Sequence, residues 1–163
     1  MFKFKIGDEV IIKKPRYHGY FDPKTFEVST GTVIACNFMR TSSEALVSYK
    51  VNLSNGSMAN FDESKLALFT DEFKKIAQDT FLYYCPECGE IFGLGKSETY
   101  KETSIEHSQC VYSDCGYGDD DVYADIEYSH VYQKCPKCGK GVRIFFNKKE
   151  LKETRHDKYG NKR

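Results

Sequence analysis

Cys85-Pro86-Glu87-Cys88-Gly89 returns almost letter for letter as Cys135-Pro136-Lys137-Cys138-Gly139. In each copy two thiols at C-x-x-C spacing can converge on one ion. The glycine that follows lets backbone amides turn towards the sulfurs and stabilise their charge. Four thiolates complete a tetrahedron and leave no position for water, so the spacing points to a structural zinc ion rather than a catalytic one. Iron also accepts four thiolates; zinc is inferred from availability and ligand softness.

The two turns sit in similar surroundings. Leu82-Tyr83-Tyr84 and Val131-Tyr132-Gln133-Lys134 precede them, and Ile91-Phe92 and Val142-Arg143-Ile144-Phe145 follow. Each reads as the tip of a β-hairpin. The arrangement resembles the zinc-ribbon group with rubredoxin-like knuckles over residues 81–146, and the resemblance assigns Cys85, Cys88, Cys135 and Cys138 as the four ligands. The 46 residues between Cys88 and Cys135 hold a further pair, Cys110 and Cys115, followed by Gly116. Because the step from Cys88 to Cys110 is nearer ordinary ribbon spacing, Cys85, Cys88, Cys110 and Cys115 form an alternative set. Cys135 and Cys138 would then take His107 or His130 as partners, and a site with two ions would use six cysteines and two histidines. The ordinary use of His107, His130, His156 and His18 is a surface or hydrogen-bonded imidazole.

Seven cysteines are an odd number, and C-x-x-C spacing in a chain without a secretion signal favours metal ligation over disulfides. A dithiol-oxidoreductase reading fails because neither copy opens a helix within a βαβ pattern. Cys36, in Val33-Ile34-Ala35-Cys36-Asn37, reads as a small buried side chain on a strand. The 163 residues suit one ordinary domain or two small ones, and twelve Tyr and twelve Phe without any Trp suit β-structure. The N-terminus has no apolar h-region and no apolar run is long enough to cross a bilayer, which reads as a cytoplasmic protein without a membrane segment. The net charge of +0 is a cancellation: residues 98–128 carry nine acids against one base, and residues 131–163 carry eleven bases against three acids.

The first seventy residues read as short strands at 4–13, 31–39, 45–53, 57–61 and 66–69. Val47, Tyr49, Val51 and Leu53 alternate with polar residues, as on a sheet with one buried face. Asn55-Gly56 reads as a tight hairpin turn, since both residues tolerate positive φ. Phe4-Lys5-Ile6-Gly7-Asp8-Glu9-Val10, Gly31-Thr32-Val33-Ile34, Val47-Ser48-Tyr49 and Phe61-Asp62-Glu63-Ser64-Lys65-Leu66 follow in an order that resembles SH3-like barrels of the KOW and Tudor-like type, over residues 1–70. A helix capped by Thr70, with Phe73, Ile76 and Ala77 on one stripe, links the modules over 71–80. Residues 147–163 read as a basic, polar tail in which Asn147 and Glu150 have capping-box spacing, frayed beyond residue 158. The expected protein is mainly β: an SH3-like barrel, a linking helix, a zinc ribbon with a long acidic insertion, and the tail.

Two surfaces suit a partner. The first loop, residues 13–26, mixes cations with rings, among them Arg16, Tyr17, His18 and Tyr20; it either stacks on nucleic-acid bases or folds back over the barrel mouth. The second is the run that includes Lys134, Lys137, Lys140, Arg143, Lys148, Lys149 and Arg155, suited to a phosphate backbone. The acids, Asp119-Asp120-Asp121 above all, would oppose nucleic acid or dock on a basic surface. The chain has no Gly-rich phosphate loop, nucleophile elbow or metal motif with a water position, which argues against an enzyme and a small-molecule substrate. The modules resemble those of small bacterial or phage accessory proteins. The expectation is a non-enzymatic zinc-binding adaptor for nucleic acid or a nucleic-acid-processing protein. Its rival is a protein-interaction module that modulates a larger enzyme complex.

Overall fold

A computed structural model of the chain describes residues 1–19, 22–95, 97–112 and 121–163. It is mainly β. The first sheet contains β1 (Glu9–Ile12), β2 (Ser29–Arg40), β3 (Ala45–Leu53), β4 (Met58–Asp62) and β5 (Leu66–Leu68). Its strands are antiparallel neighbours in the order β4-β3-β2-β1-β5, so the last strand returns to pair with the first.

The alternation read in β3 decides which side of this sheet is buried. Tyr49 and Val51 join Phe4, Val10, Ile12, Val33 and Leu66 in the core, and Val47 and Leu53 pack against it. Each large apolar side chain buried in this way contributes about 1.5–3 kcal/mol. The Tyr49 hydroxyl stays satisfied: it accepts from the Lys3 amide at 2.8 Å and donates to Glu63 Oε2 at 3.0 Å, while the Phe4 ring meets its ring edge-on at 5.2 Å. Cys36 lies half-buried against the same core, with its thiol on the Phe4 carbonyl. Between β3 and β4, Gly56 takes positive φ (85°); Asn55 does not, and its side-chain oxygen instead accepts from the Ser57 amide.

The helix α1 (Asp71–Asp79) begins where the sequence places it. Thr70 Oγ1 accepts from the Phe73 amide at 3.5 Å, and Asp71 and Glu72 occupy the first turn. The hairpin β6 (Leu82–Tyr84) and β7 (Ile91–Gly93) follows, then three long strands, β8 (Thr99–Tyr112), β9 (Val122–Lys134) and β10 (Gly141–His156), in the order β10-β9-β8. The long first loop folds back. Arg16 and Thr25 exchange backbone hydrogen bonds, the Val28 amide donates to the Leu82 carbonyl, and the Tyr84 amide donates to the Phe26 carbonyl. Residues 26–28 therefore brace β6, with Phe26 edge-on to Tyr84 at 5.6 Å.

Two compact units result. One comprises Met1–Glu98 and Gln133–Val142, the other Thr99–Tyr132 and Arg143–Arg163. No helix among the described residues is long and apolar enough to cross a membrane.

The C-terminal segment corrects the sequence reading. It is polar, but residues 141–156 form one strand instead of a loose tail with a helical start at Asn147. The end is held by Asp157, whose carboxylate accepts from the amides of Tyr159 and Asn161 and from the Asn161 side chain, all at 2.9–3.0 Å. The chain then turns back, so that His156 bridges Lys162 and the Arg163 amide donates to the Arg155 carbonyl. A side chain satisfying three donors closes a turn that hydrophobic periodicity does not register.

Candidate metal centre

Cys85 follows β6 and Cys88 lies in the turn before β7; Cys135 follows β9 and Cys138 lies in the turn before β10. The two turns share one backbone plan. The Cys85 amide donates to the Glu90 carbonyl at 2.8 Å and the Gly89 amide to the Cys85 carbonyl at 2.8 Å. The Cys135 amide donates to the Lys140 carbonyl at 2.8 Å and the Gly139 amide to the Cys135 carbonyl at 2.9 Å. Gly89 and Gly139 sit at φ 75° and 74°, the left-handed region that a side chain strains. This turn aims the amides of Glu87 and Cys88 at the Cys85 sulfur, and those of Lys137 and Cys138 at the Cys135 sulfur.

All four sulfurs lie within 4.8 Å of one another. Cys85 and Cys138 Sγ are 3.6 Å apart, as are Cys88 and Cys135. A disulfide would place sulfurs about 2.05 Å apart, whereas four thiolates at about 2.3 Å from a tetrahedral zinc ion stand about 3.8 Å from each other. The spacing therefore fits an ion between the sulfurs, and the cysteine cluster could hold one.

Burial pushes the Cys85 thiol up to about 12 in the metal-free chain. At Cys135 burial acts in the same direction, but the amides of Cys138 and Lys137 and the hydrogen bonds with the Cys88 and Cys138 thiols together outweigh it and hold that thiol below its ordinary value. Around the cluster, Lys137 lies 3.8 Å from Glu90 and Lys140 lies 3.8 Å from Glu87, each pair crossing from one turn to the other. Such exposed pairs add little stability. They do bring cations near four thiolates that leave a divalent ion doubly negative.

Two residues that sequence reasoning passed over set the second turn against the first. Gln133 is fully buried, and its Nε2 donates to the Gly93 carbonyl at 3.2 Å and to Ser97 Oγ at 3.3 Å. Ser97 Oγ in turn donates to the Lys134 carbonyl, and the Lys134 amide donates to the Glu98 carbonyl at 2.9 Å. The strand that delivers Cys135 is thereby fastened to the segment just after β7. Neither residue lies in a motif, so no signal in the sequence singles them out.

Among the described residues, the other ligand candidates lie outside this cluster. His107 Nδ1 meets Asp125 Oδ2 at 2.9 Å, and the exposed Cys110 thiol donates to the Tyr112 carbonyl at 3.4 Å. His130 lies among the rings of Tyr128, Tyr132 and Phe146. Cys115 falls outside the described residues, as do Tyr20, Asp119 and Asp120. Of the cations read as phosphate contacts, Lys134 pairs with Glu98 at 2.6 Å, Arg155 with Glu150, and Lys137 and Lys140 as above. Arg143 Nη2 donates to the Tyr132 hydroxyl at 3.0 Å, Lys148 Nζ lies 6.0 Å from the Tyr128 ring centre, and Lys149 is exposed. In the first loop Arg16 meets Glu27 at 3.3 Å, His18 Nε2 meets Thr25 Oγ1 at 2.9 Å, and the exposed Tyr17 ring has Lys24 Nζ at 5.1 Å. Comparison of the chain with protein-family models, with curated proteins and with solved structures gives no match.

Proposed function

We propose that this protein is a non-enzymatic, zinc-stabilised adaptor that binds nucleic acid through the basic strand β10. On this reading the five-stranded sheet is an SH3-like barrel, a resemblance supported by the pairing of β5 with β1, and the paired turns are the knuckles of a zinc ribbon. Cys85, Cys88, Cys135 and Cys138 would hold one zinc ion, which contributes on the order of 10 kcal/mol to folding. The observation that carries the reading is the closed cluster of four sulfurs, which leaves the ion no position for water or substrate. The ion then serves as scaffold, and function falls to the surface. β10 carries Arg143, Lys148, Lys149, Lys152 and Arg155 against Glu150 and Glu153, an excess of positive charge that suits a polyanion.

The test is fluorescence anisotropy with labelled duplex and single-stranded oligonucleotides over a range of salt. Binding should weaken linearly in log affinity against log salt, and Lys148→Glu/Lys149→Glu should weaken it further and flatten the slope. Absence of binding at low ionic strength would overturn the reading. The rival, a protein-interaction module acting on a larger enzyme complex, is favoured by Phe38, Met39 and Leu46 at the end of the β2–β3 hairpin, which are 59%, 65% and 50% exposed.

A further inference from the structure

The sheet of β8, β9 and β10 carries a line of rings that the metal centre does not use. Tyr128, His130 and Tyr132 occupy alternate positions of β9 and so share one face. Tyr100 of β8 stacks on Tyr132 with ring centres 5.1 Å apart and planes 14° from parallel. His130 continues the line at 6.2 Å from Tyr132 and 6.4 Å from Tyr128, and Phe146 of β10 packs on both His130 and Tyr128, at 5.5 and 5.8 Å. All five rings are only half-buried. The Arg143 guanidinium lies 5.2 Å from the Tyr132 ring centre, and the Lys148 ammonium attends Tyr128.

We propose that this ring ladder is a binding surface for single-stranded nucleic acid, whose bases stack on the rings of Tyr100, Tyr128, Tyr132 and Phe146 while Arg143 and Lys148 meet the phosphates. The proposal rests on the nucleic-acid reading given above and names the class of strand and the face that takes it. Three features select this occupant. The planes of Tyr100 and Tyr132, and of Tyr128 and His130, lie 14° and 15° from parallel and offer π-faces that every base can match, and such stacking tolerates any sequence. The cations stand beside the rings, where a phosphate backbone runs when its bases are stacked; the charge of Glu102 also reaches His130. A duplex keeps its base faces inside, so only an unpaired strand can use the ladder. Burial, and next the charge of Arg143, hold His130 below its ordinary value. At neutral pH it is therefore a neutral ring that keeps the ladder continuous.

The test uses the full chain as purified, with labelled oligo(dT), oligo(rU) and a duplex, each of about 12 units, within the usual span of a single-strand binding sheet. Either single strand should bind more tightly than the duplex. Ultraviolet crosslinking of the bound strand, read by mass spectrometry, should mark peptides that contain Tyr128, Tyr132 or Phe146. Tyr128→Leu/Tyr132→Leu should weaken single-strand binding about tenfold or more, as loss of aromatic stacking does. Tyr128→Phe/Tyr132→Phe should preserve it. Salt-sensitive binding with crosslinks confined to other peptides, or with full affinity in the leucine variant, overturns the ladder while leaving the nucleic-acid reading in place. No binding of any strand at low ionic strength overturns both. If the leucine variant fails to fold, the crosslink map of the unaltered chain decides.

Discussion

Cys85 faces opposite demands with and without an ion. In the metal-free chain burial raises its folded pKa to about 12, so the neutral thiol favours the folded state. That contribution is fully present below the ordinary thiol value and is lost as pH rises through the folded one. Zinc reverses the sign. The ion binds thiolates, so uptake releases protons and its stabilisation fades as pH falls. Thermal unfolding followed from pH 6 to 9 should therefore show the zinc-loaded protein gaining stability steeply with rising pH, and the chelated protein gaining much less, through groups such as Cys135 and His130 that are held below their ordinary values; parallel profiles would contradict this. At this scale the sequence was legible wherever a residue belonged to a repeated pattern, as the four ligand cysteines do. Gln133 and Ser97 escaped because their role lies in hydrogen bonds to Gly93 and Lys134, which nothing in the local sequence announces.

Gly93 ends β7 where α1 passes close by. A Cβ built there would stand 2.5 Å from Ile76 Cγ2 and 3.0 Å from Thr80 Cγ2, so the glycine is what lets helix and hairpin approach. Both neighbours are β-branched and stiff at χ1, which leaves little room for relief. Gly93→Ala should cost about 1–3 kcal/mol as an overpacked contact. The denaturant midpoint of the zinc-loaded variant against the unaltered chain measures it, and an unchanged midpoint would refute the contact. Among the elements, β2 to β5 and α1 could be read from alternation, turn residues and the Thr70 cap. β1 is shorter than expected because a turn at Gly7 (φ 95°) occupies the residues before Glu9. β10 escapes the sequence beyond Asn147 because, Leu151 apart, its later residues are polar on both faces. Backbone pairing with β9 and the turn closed by Asp157 keep it extended, and neither depends on a hydrophobic period.

Across the molecule, the two turns join segments far apart in the chain into one unit, with the first loop braced on the hairpin that carries Cys85. The charge segregation is also partly reconciled locally, since Lys134, Lys137 and Lys140 each meet a glutamate. What the sequence withholds at this scale is distance: it leaves the Cys110 and Cys115 alternative standing, whereas the structure brings the sulfurs of Cys135 and Cys138 beside those of Cys85 and Cys88. Zinc-edge X-ray absorption on the purified protein, with metal content measured alongside, tests that convergence most directly. One zinc ion per chain, surrounded by four sulfurs at about 2.3 Å and lost in Cys135→Ser/Cys138→Ser but kept in Cys110→Ser/Cys115→Ser, is the predicted result. Nitrogen or oxygen among the ligands, or zinc retained by the Cys135→Ser/Cys138→Ser protein, would contradict it.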